Sequence, residues 1–336
     1  MLNTDQHPNN KSLTVAIVGK PNVGKSTLIN HFMDMDFTIV SPLPQTTRNH
    51  FQCVMTIDKT EIIFIDTPGF HKSNKELNIR MNQESDFATE GAELVLFLVD
   101  SAHRNFIEEI KESIELWQGW NKPIPHYIVF TKTDLVTATK LQDKMAMFKE
   151  LIAQDEKIIK KNQMKFFAVS VKEEENLHLL TGALLDAAES GPHLFPQGEL
   201  SNKNTKFFVS EYIREQVYYL LKEELPYEVA VIIEEFLEPR VRGQLSEGNA
   251  KNIVAKITAS ILVNRPSQRS IVVGAKGAMI KEIGTRARKK IETLLGGQVF
   301  LNLHVKISPN WNKNNFILEE IGLPRAKNSH RVWRQK

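Results

Sequence analysis

The sequence predicts an α/β domain, doubly wound about a mostly parallel sheet, followed by a smaller α+β domain. Three observations carry that expectation. From Leu13 to about Ser190, apolar runs of strand length alternate with helical stretches, the pattern of strands layered between helices. From 191 to 204 the chain turns polar and holds two prolines and two glycines, as linkers do. Beyond it the order becomes helix, two strands, a glycine-bearing turn, a basic helix and one more strand. At 336 residues the chain is long enough for two cores.

In the first domain the expected strands are Leu13–Gly19, His50–Asp58, Glu61–Asp66, Glu93–Asp100, His126–Thr131 and Lys165–Ser170. Helices are expected from Lys25, Asn105 and Asn176. Only Lys59–Thr60 separates the second strand from the third. So short a link forbids a parallel crossover and predicts an antiparallel hairpin at one edge. In the second domain a helix over Lys206–Glu224 leads to strands near Glu228–Phe236 and Asn252–Val263, with a last strand at Gln298–Ile307. The resulting division is a polar N-terminal extension (1–12), the α/β domain (13–190), the linker (191–204), the α+β domain (205–309) and a basic C-terminal tail (310–336).

Composition excludes several classes. Hydrophobic residues at 41% and charged ones at 25% suit a soluble globular chain. The lone cysteine, Cys53, rules out an internal disulfide or a cysteine zinc cage and suits a reducing cytosol. We read it as a strand residue. The first residues, MLNTDQHPNNKS, lack the apolar segment of a secretory signal. The strongest apolar run, Leu94–Val99, is far too short to cross a bilayer. A net charge of +3 does not by itself point to a polyanion.

The chemistry begins with GKPNVGKST, placed between the first strand and a helical run. Gly19, Lys20, Pro21, Asn22, Val23, Gly24, Lys25, Ser26 and Thr27 form a candidate phosphate loop. Its glycines let successive N–H groups close on phosphate oxygens at a helix N-terminus. Lys25 is placed to reach the β/γ-phosphates and Ser26 to hold Mg²⁺. DTPG follows at the end of the third strand, where ligands of open sheets collect. Asp66 is expected to hold Mg²⁺ through water and the Gly69 N–H to face the γ-phosphate, with Thr67, Pro68 and Phe70 beside them. TKTD, Thr131–Lys132–Thr133–Asp134, ends another strand. A carboxylate at Asp134 can accept both N1–H and the 2-amino N–H of guanine, a donor pair adenine lacks. GTP is therefore expected over ATP, with Lys132 along the base and a backbone N–H at Ser170 or Val171 for the guanine carbonyl. The loop SPLPQTTRN offers Thr47 as a hydroxyl that joins Mg²⁺ only when the γ-phosphate is present, which would make the loop a switch.

GKPNVGKS, PQTTR, DTPG and TKTD resemble the successive motifs of the Era-like GTPases, a translation-factor-related family. The resemblance implies a P-loop GTPase domain in which Lys25, Thr47, Asn22 and Gly69 serve hydrolysis. Two departures matter. Thr131 stands where asparagine is usual, which predicts ~1 kcal/mol less affinity from one missing hydrogen bond. Phe70 stands where many GTPases carry a glutamine that orients the attacking water. Relatives with an apolar residue there use a potassium ion held partly by an asparagine, and Asn22 matches that position.

The second domain concentrates its charge. Asn264–Ile291 holds eight basic residues and one acidic, whereas Glu211–Glu247 holds nine acidic and four basic. A basic face of this kind is the footprint of a polyanion site. Within it GAKG, Gly274–Ala275–Lys276–Gly277, is a tight turn before a helix, open enough for a nucleic-acid backbone to approach. The order strand, strand, GxxG, helix, strand resembles a KH domain of the type II arrangement, which clamps about four nucleotides of single-stranded RNA. By that resemblance SQRSIVV is a short helix, although its periodicity equally suits a strand. Arg269, Lys276, Lys281 and Arg286 would meet phosphates. Ile271, Val272, Met279, Ile280 and Ile283 would line the groove or the core beneath it. The tail, ending HRVWRQK, is read equally as a further RNA contact or as disordered chain.

Together these features predict a GTP-hydrolysing, Mg²⁺-dependent switch with GTP and GDP as ligands. The family resemblance adds single-stranded small-subunit ribosomal RNA near its 3′ end as partner and small-subunit maturation as the role. The expected place is the cytoplasm, with peripheral contact at the inner membrane as an accessory reading. A plain RNA-binding protein with a structural nucleotide is the rival.

Overall fold

The structure is a computed structural model that describes residues 7–35, 38–39, 51–66, 91–119, 124–153, 164–221, 228–238 and 253–323. The chain divides into two units, and the covalent boundary after the first sheet domain falls between Asn202 and Lys203.

The first unit is built on β1 (Lys11–Gly19), β2 (Phe51–Ile57), β3 (Thr60–Asp66), β4 (Leu94–Asp100), β5 (His126–Thr131), β6 (Met164–Ala168) and a short β7 (Glu189–Ser190). Described helices are α1 (Lys25–Met33), α2 (Phe106–Gly119), α3 (Ala138–Ala153) and α4 (Leu177–Ala187). Among the described residues the sheet runs β2-β3-β1-β4-β5-β6, with β7 pairing the start of β1. All the neighbours from β3 to β6 are parallel, and β2 is antiparallel to β3. A two-residue link does close a hairpin, but it is Asp58–Lys59 rather than Lys59–Thr60, because Thr60 already pairs with Ile57; Asp58 takes the left-handed region at φ 53°. Parallel strands covered on both faces need near-continuous apolar sequence. β4 and β5 are buried at every position. On one side Val18, Phe97, Phe130 and Phe148 share a core with α2 and α3.

The second unit holds α5 (Thr205–Leu220), β8 (Ala230–Leu237), β9 (Ile253–Val263), α6 (Pro266–Val273), α7 (Ala278–Leu295), β10 (Gln298–Ile307) and α8 (Asn315–Glu320). Its sheet order is β10-β9-β8, with β9 parallel to β10 and antiparallel to β8. Alternate residues of β9, from Ala255 to Val263, face α5 and α7 in one core. In α7 the buried positions Ile283, Ala287 and Ile291 recur every four residues, and the basic side chains take the other face.

Two expectations need correction. The tail was set at 310–336, yet Trp311, Ile317, Leu318 and Leu323 pack with Ala230 and Leu262 as a second small core. Trp311 is fully buried, and its indole N–H donates to the Glu228 carbonyl at 2.9 Å. The fold therefore extends to Leu323, because the sheet face away from α5 and α7 also needs apolar cover. Likewise β1 begins at Lys11 with Asn10 buried, so the N-terminal extension is shorter than 1–12.

Candidate nucleotide and RNA sites

The phosphate loop forms where β1 runs out beside β4. A Cβ at Gly19, whose φ is 149°, would lie 2.7 Å from the Leu98 carbonyl, so only glycine fits. Asn22 and Gly24 also have positive φ, 64° and 103°. Gly24 opens α1, and its carbonyl takes the first helical bond from Leu28 N–H. Lys25 is buried, and its ammonium donates to the Gly19 and Lys20 carbonyls, each at 2.8 Å. Burial lowers its pKa to about 8 despite the opposing charge of Asp66. The loop thus curls around its own lysine, and a phosphate there would restore the ammonium's preferred charge state. Val23 is buried, Asn22 exposed, and Lys20, Pro21, Ser26 and Thr27 lie between.

Asp66 ends β3 fully buried, in register with Ile17 of β1. Ser26 is the second residue of α1, and its carbonyl accepts from the Thr38 hydroxyl at 2.9 Å. A hydroxyl and a carboxylate form an oxygen-only set that suits a hard cation such as Mg²⁺. Thr47, Thr67, Pro68, Gly69 and Phe70 lie outside the described residues.

The TKTD motif and Ser170 depart from expectation in two informative ways. The Thr131 hydroxyl donates to the Val23 carbonyl at 2.6 Å and lies 3.2 Å from that of Val99. It therefore ties the end of β5 directly to the phosphate loop. Ser170 was named for its backbone N–H, but that group donates to the Glu175 carbonyl at 3.3 Å. Its hydroxyl instead donates to Asp134 Oδ1 at 2.7 Å, aiming the carboxylate. Thr133 is buried, with its N–H on the Val169 carbonyl at 3.4 Å. Val171 is half-buried in the turn that follows.

Sequence reasoning missed the carboxylates behind the site. Lys132 sits in the left-handed region at φ 58°, and its ammonium meets Asp100 Oδ2 at 2.6 Å. Asp100 is itself held by the Ala102 N–H at 2.8 Å. On the loop's other flank Lys20 pairs with Glu109 at 2.5 Å and with Glu112, both on α2. Asp100 closes a strand directly beside Thr131, a strand-end carboxylate that could have been singled out. The α2 pair carries no such signal.

In the second unit α6 is a helix, which resolves the ambiguity of SQRSIVV. Gln268 Oε1 accepts from the N–H groups of Asn264 and Arg265, and Pro266 opens the first turn. Gly274 then stops the helix at φ 72°, where a Cβ would lie 2.6 Å from that of Met279. Lys276 and Gly277 continue the turn at φ 50° and 78°, and Gly277 has open space around it. Ala275 and Lys276 are exposed. The apolar residues separate by role. Val272 and Ile283 are core, Ile271 is 54% exposed, and Met279 and Ile280 are half-buried. Arg269 and Lys281 are exposed, and Arg286 pairs with Glu282 at 2.6 Å on the surface of α7.

These two units define a class: a phosphate-loop nucleotide-binding domain joined to a domain with a glycine-turn clamp between two helices. Residues 14–132 match the family described as 50S ribosome-binding GTPase, and residues 224–312 match the KH domain family. The chain is 34% identical over 313 residues to GTPase Era of Crocosphaera subtropica, covering 93% of this chain and 92% of that one. It is 36% identical over 310 residues to GTPase Era of Thermosipho melanesiensis, covering 92% and 96%. Among solved structures, Era in complex with MgGDPNP and nucleotides 1506–1542 of 16S ribosomal RNA matches with a TM-score of 0.81 at 30% identity. That match covers 94% of this chain and 99% of the other. An Aquifex aeolicus Era variant bound to GDP·AlF4− matches with a TM-score of 0.82 at the same identity and coverage. The chain belongs to the GTPase Era family, and it is a GTP-hydrolysing enzyme with a KH domain.

Proposed function

We propose that this GTPase is a nucleotide-gated RNA-binding switch acting in maturation of the small ribosomal subunit. Its GTP state grips single-stranded ribosomal RNA near the 3′ end, and hydrolysis lets go. The observation behind this reading is the union in one chain of the phosphate loop and the Gly274–Gly277 turn. It is supported by the near full-length likeness to an Era holding both MgGDPNP and 16S RNA. The family description matched by residues 14–132 names the large subunit. It spans only the nucleotide domain, so the full-length relative is the better guide to the RNA.

In this reading Lys25 and the loop N–H groups neutralise the triphosphate, while Ser26, Thr47 and Asp66 hold Mg²⁺, which when bound offsets charge on the β/γ-phosphates. Asp134, aimed by Ser170, reads guanine, Lys132 lies along it, and Val171 supplies the backbone donor. Gly69 faces the γ-phosphate, and Asn22 holds potassium in place of a water-orienting glutamine. Equal turnover in potassium and sodium would remove that last assignment. Arg269, Lys276, Lys281 and Arg286 meet RNA phosphates, and Ile271, Met279 and Ile280 meet bases. The protein works in the cytoplasm, and the basic face gives it a secondary affinity for anionic inner membrane. Sedimentation with anionic liposomes, with and without RNA, tests that accessory contact. No described helix is long and apolar enough to span a bilayer.

A switch requires RNA to bind one nucleotide state more tightly. Affinity for a 16S-derived RNA, measured with GDPNP and with GDP, tests it. Tighter binding with GDPNP is expected, and equal affinities would favour the rival in which nucleotide is merely structural.

A further inference from the structure

The segment 191–204 was read as an interdomain linker, and the structure ties much of it along the β2–β3 hairpin. It leaves β7 with Gly191 N–H on the Asn10 carbonyl at 3.0 Å. At the hairpin's turn, the His193 ring nitrogen Nε2 lies 3.0 Å from the Lys59 carbonyl. Next, the Leu194 and Phe195 N–H groups donate to the Glu61 carboxylate at 2.7 and 3.3 Å. Glu61 is only 2% exposed, so these donors satisfy a charge that burial would otherwise penalise. Further on the chain pairs antiparallel with β2, the edge strand of the sheet. Val54 N–H donates to the Leu200 carbonyl at 2.9 Å, and Asn202 N–H to that of Gln52 at 3.2 Å. Side chains add to this, with Ser201 Oγ donating to the Gln52 carbonyl at 2.7 Å and Gln52 N–H to Asn202 Oδ1 at 3.0 Å.

The position of this attachment matters. Phe51, the first residue of β2, pairs with Asp66, the last of β3. The loop bearing Thr47 therefore enters the hairpin at the same end from which the DTPG segment leaves it. The linker is fastened one residue from that end, at Gln52. Two residues after Asn202, Asn204 caps α5, with its side chain accepting from Phe207 N–H at 3.0 Å. There is almost no slack between the pairing on β2 and the first helix of the second unit.

We propose that the linker is a strap that carries nucleotide state to the RNA-binding unit. The β2–β3 hairpin shifts with the nucleotide state sensed at its Phe51–Asp66 end. The paired linker moves with it, and the start of α5 is reset. The strap stays attached in both states and acts as a lever. This rests on the switch reading above, and the linker sequence hides it because backbone pairing leaves no mark on side-chain type.

The test measures the ratio of RNA affinities with GDPNP and GDP, using the full chain and a 16S RNA of nucleotides 1506–1542. Coupling of ~5-fold or more is expected for the unaltered protein. Asn202→Pro removes the N–H that donates to Gln52, and the Ser201→Ala/Asn202→Ala pair removes the side-chain bonds more gently. Both should bring the ratio toward one while GTP hydrolysis and GDP-state RNA affinity persist. A lock is also available. Ser201 stands opposite Cys53 in an antiparallel pair, and the bonds flank that pair rather than join it, the geometry with the closer Cα atoms. A Ser201→Cys disulfide to Cys53 should therefore form and keep the unaltered ratio. The strap is refuted if the cut variants keep the ratio or if the oxidised lock abolishes it. A ratio of one in the unaltered protein would instead refute the switch reading itself.

Discussion

Replacing Thr131 by valine keeps the shape of the side chain and removes its hydroxyl. Thr131 is 3% exposed, and its Oγ1 supplies the 2.6 Å bond to the Val23 carbonyl. Val23 lies in the middle of the phosphate loop and is itself buried, so water cannot easily replace the lost donor. An orphaned buried carbonyl costs about 1–3 kcal/mol. The loop can escape that cost by leaving the conformation that binds phosphate. Apparent nucleotide affinity then falls by the fraction of molecules that leave. The bond energy caps the loss at roughly 5- to 150-fold. Equilibrium titration with a fluorescent GDP analogue reads the affinity, and thermal unfolding of the nucleotide-free protein reads the stability. Thr131→Ser should behave like the unaltered protein. Thr131→Asn, which restores the usual residue, should gain little because the threonine hydroxyl already reaches the loop. Unchanged affinity in Thr131→Val would refute the claim that this bond organises the phosphate loop, and a large gain in Thr131→Asn would restore the simpler sequence argument.

Other consequences follow from the same geometry. Asp134→Asn should shift preference from guanine to xanthine nucleotides, since the Ser170 hydroxyl still fixes the side-chain oxygen while the amide turns an acceptor into a donor; competition binding with GDP and XDP reads the shift. Gly277→Asp should weaken RNA binding at least tenfold, through charge conflict with phosphates, and leave GTP hydrolysis in the first unit intact; nothing crowds a Cβ there, although the φ of 78° makes any side chain at this position strained. Gly274→Ala, by contrast, should destabilise the second unit, since its Cβ would collide with Met279; unfolding curves separate the two. The Lys25 pKa of about 8 in the unliganded protein lies below the ordinary lysine value, and triphosphate binding should raise it. Near pH 8 nucleotide binding should then take up roughly half a proton, which calorimetry in buffers of different ionisation enthalpy detects.

The strands of the first unit could be read from sequence because parallel strands buried on both faces are almost purely apolar, as in Leu94–Val99. The phosphate loop was equally plain, since few residue orders satisfy its backbone. What the sequence concealed depended on pairings between distant positions. Nothing in TKTD announces that Lys132 will meet Asp100, or that Ser170 will spend its N–H on Glu175 and its hydroxyl on Asp134. The linker's polar, proline-bearing composition marked a connection between domains and gave no sign of its pairing, because Leu200–Asn202 pair through main-chain groups that any residue supplies. The C-terminal segment looked like a tail because its charge masked the spacing of Trp311, Ile317, Leu318 and Leu323. Only the uncovered face of a three-stranded sheet explains why those four are buried.

Thermodynamic reciprocity offers the most direct check on the link between the two sites. If GDPNP tightens the grip on RNA, RNA must tighten the grip on GDPNP by the same factor. Calorimetric titration of GDPNP with Mg²⁺ into the protein, alone and saturated with 16S nucleotides 1506–1542, measures that factor. The account predicts tighter GDPNP binding with RNA present and no such gain for GDP. GDPNP affinity indifferent to RNA would contradict it.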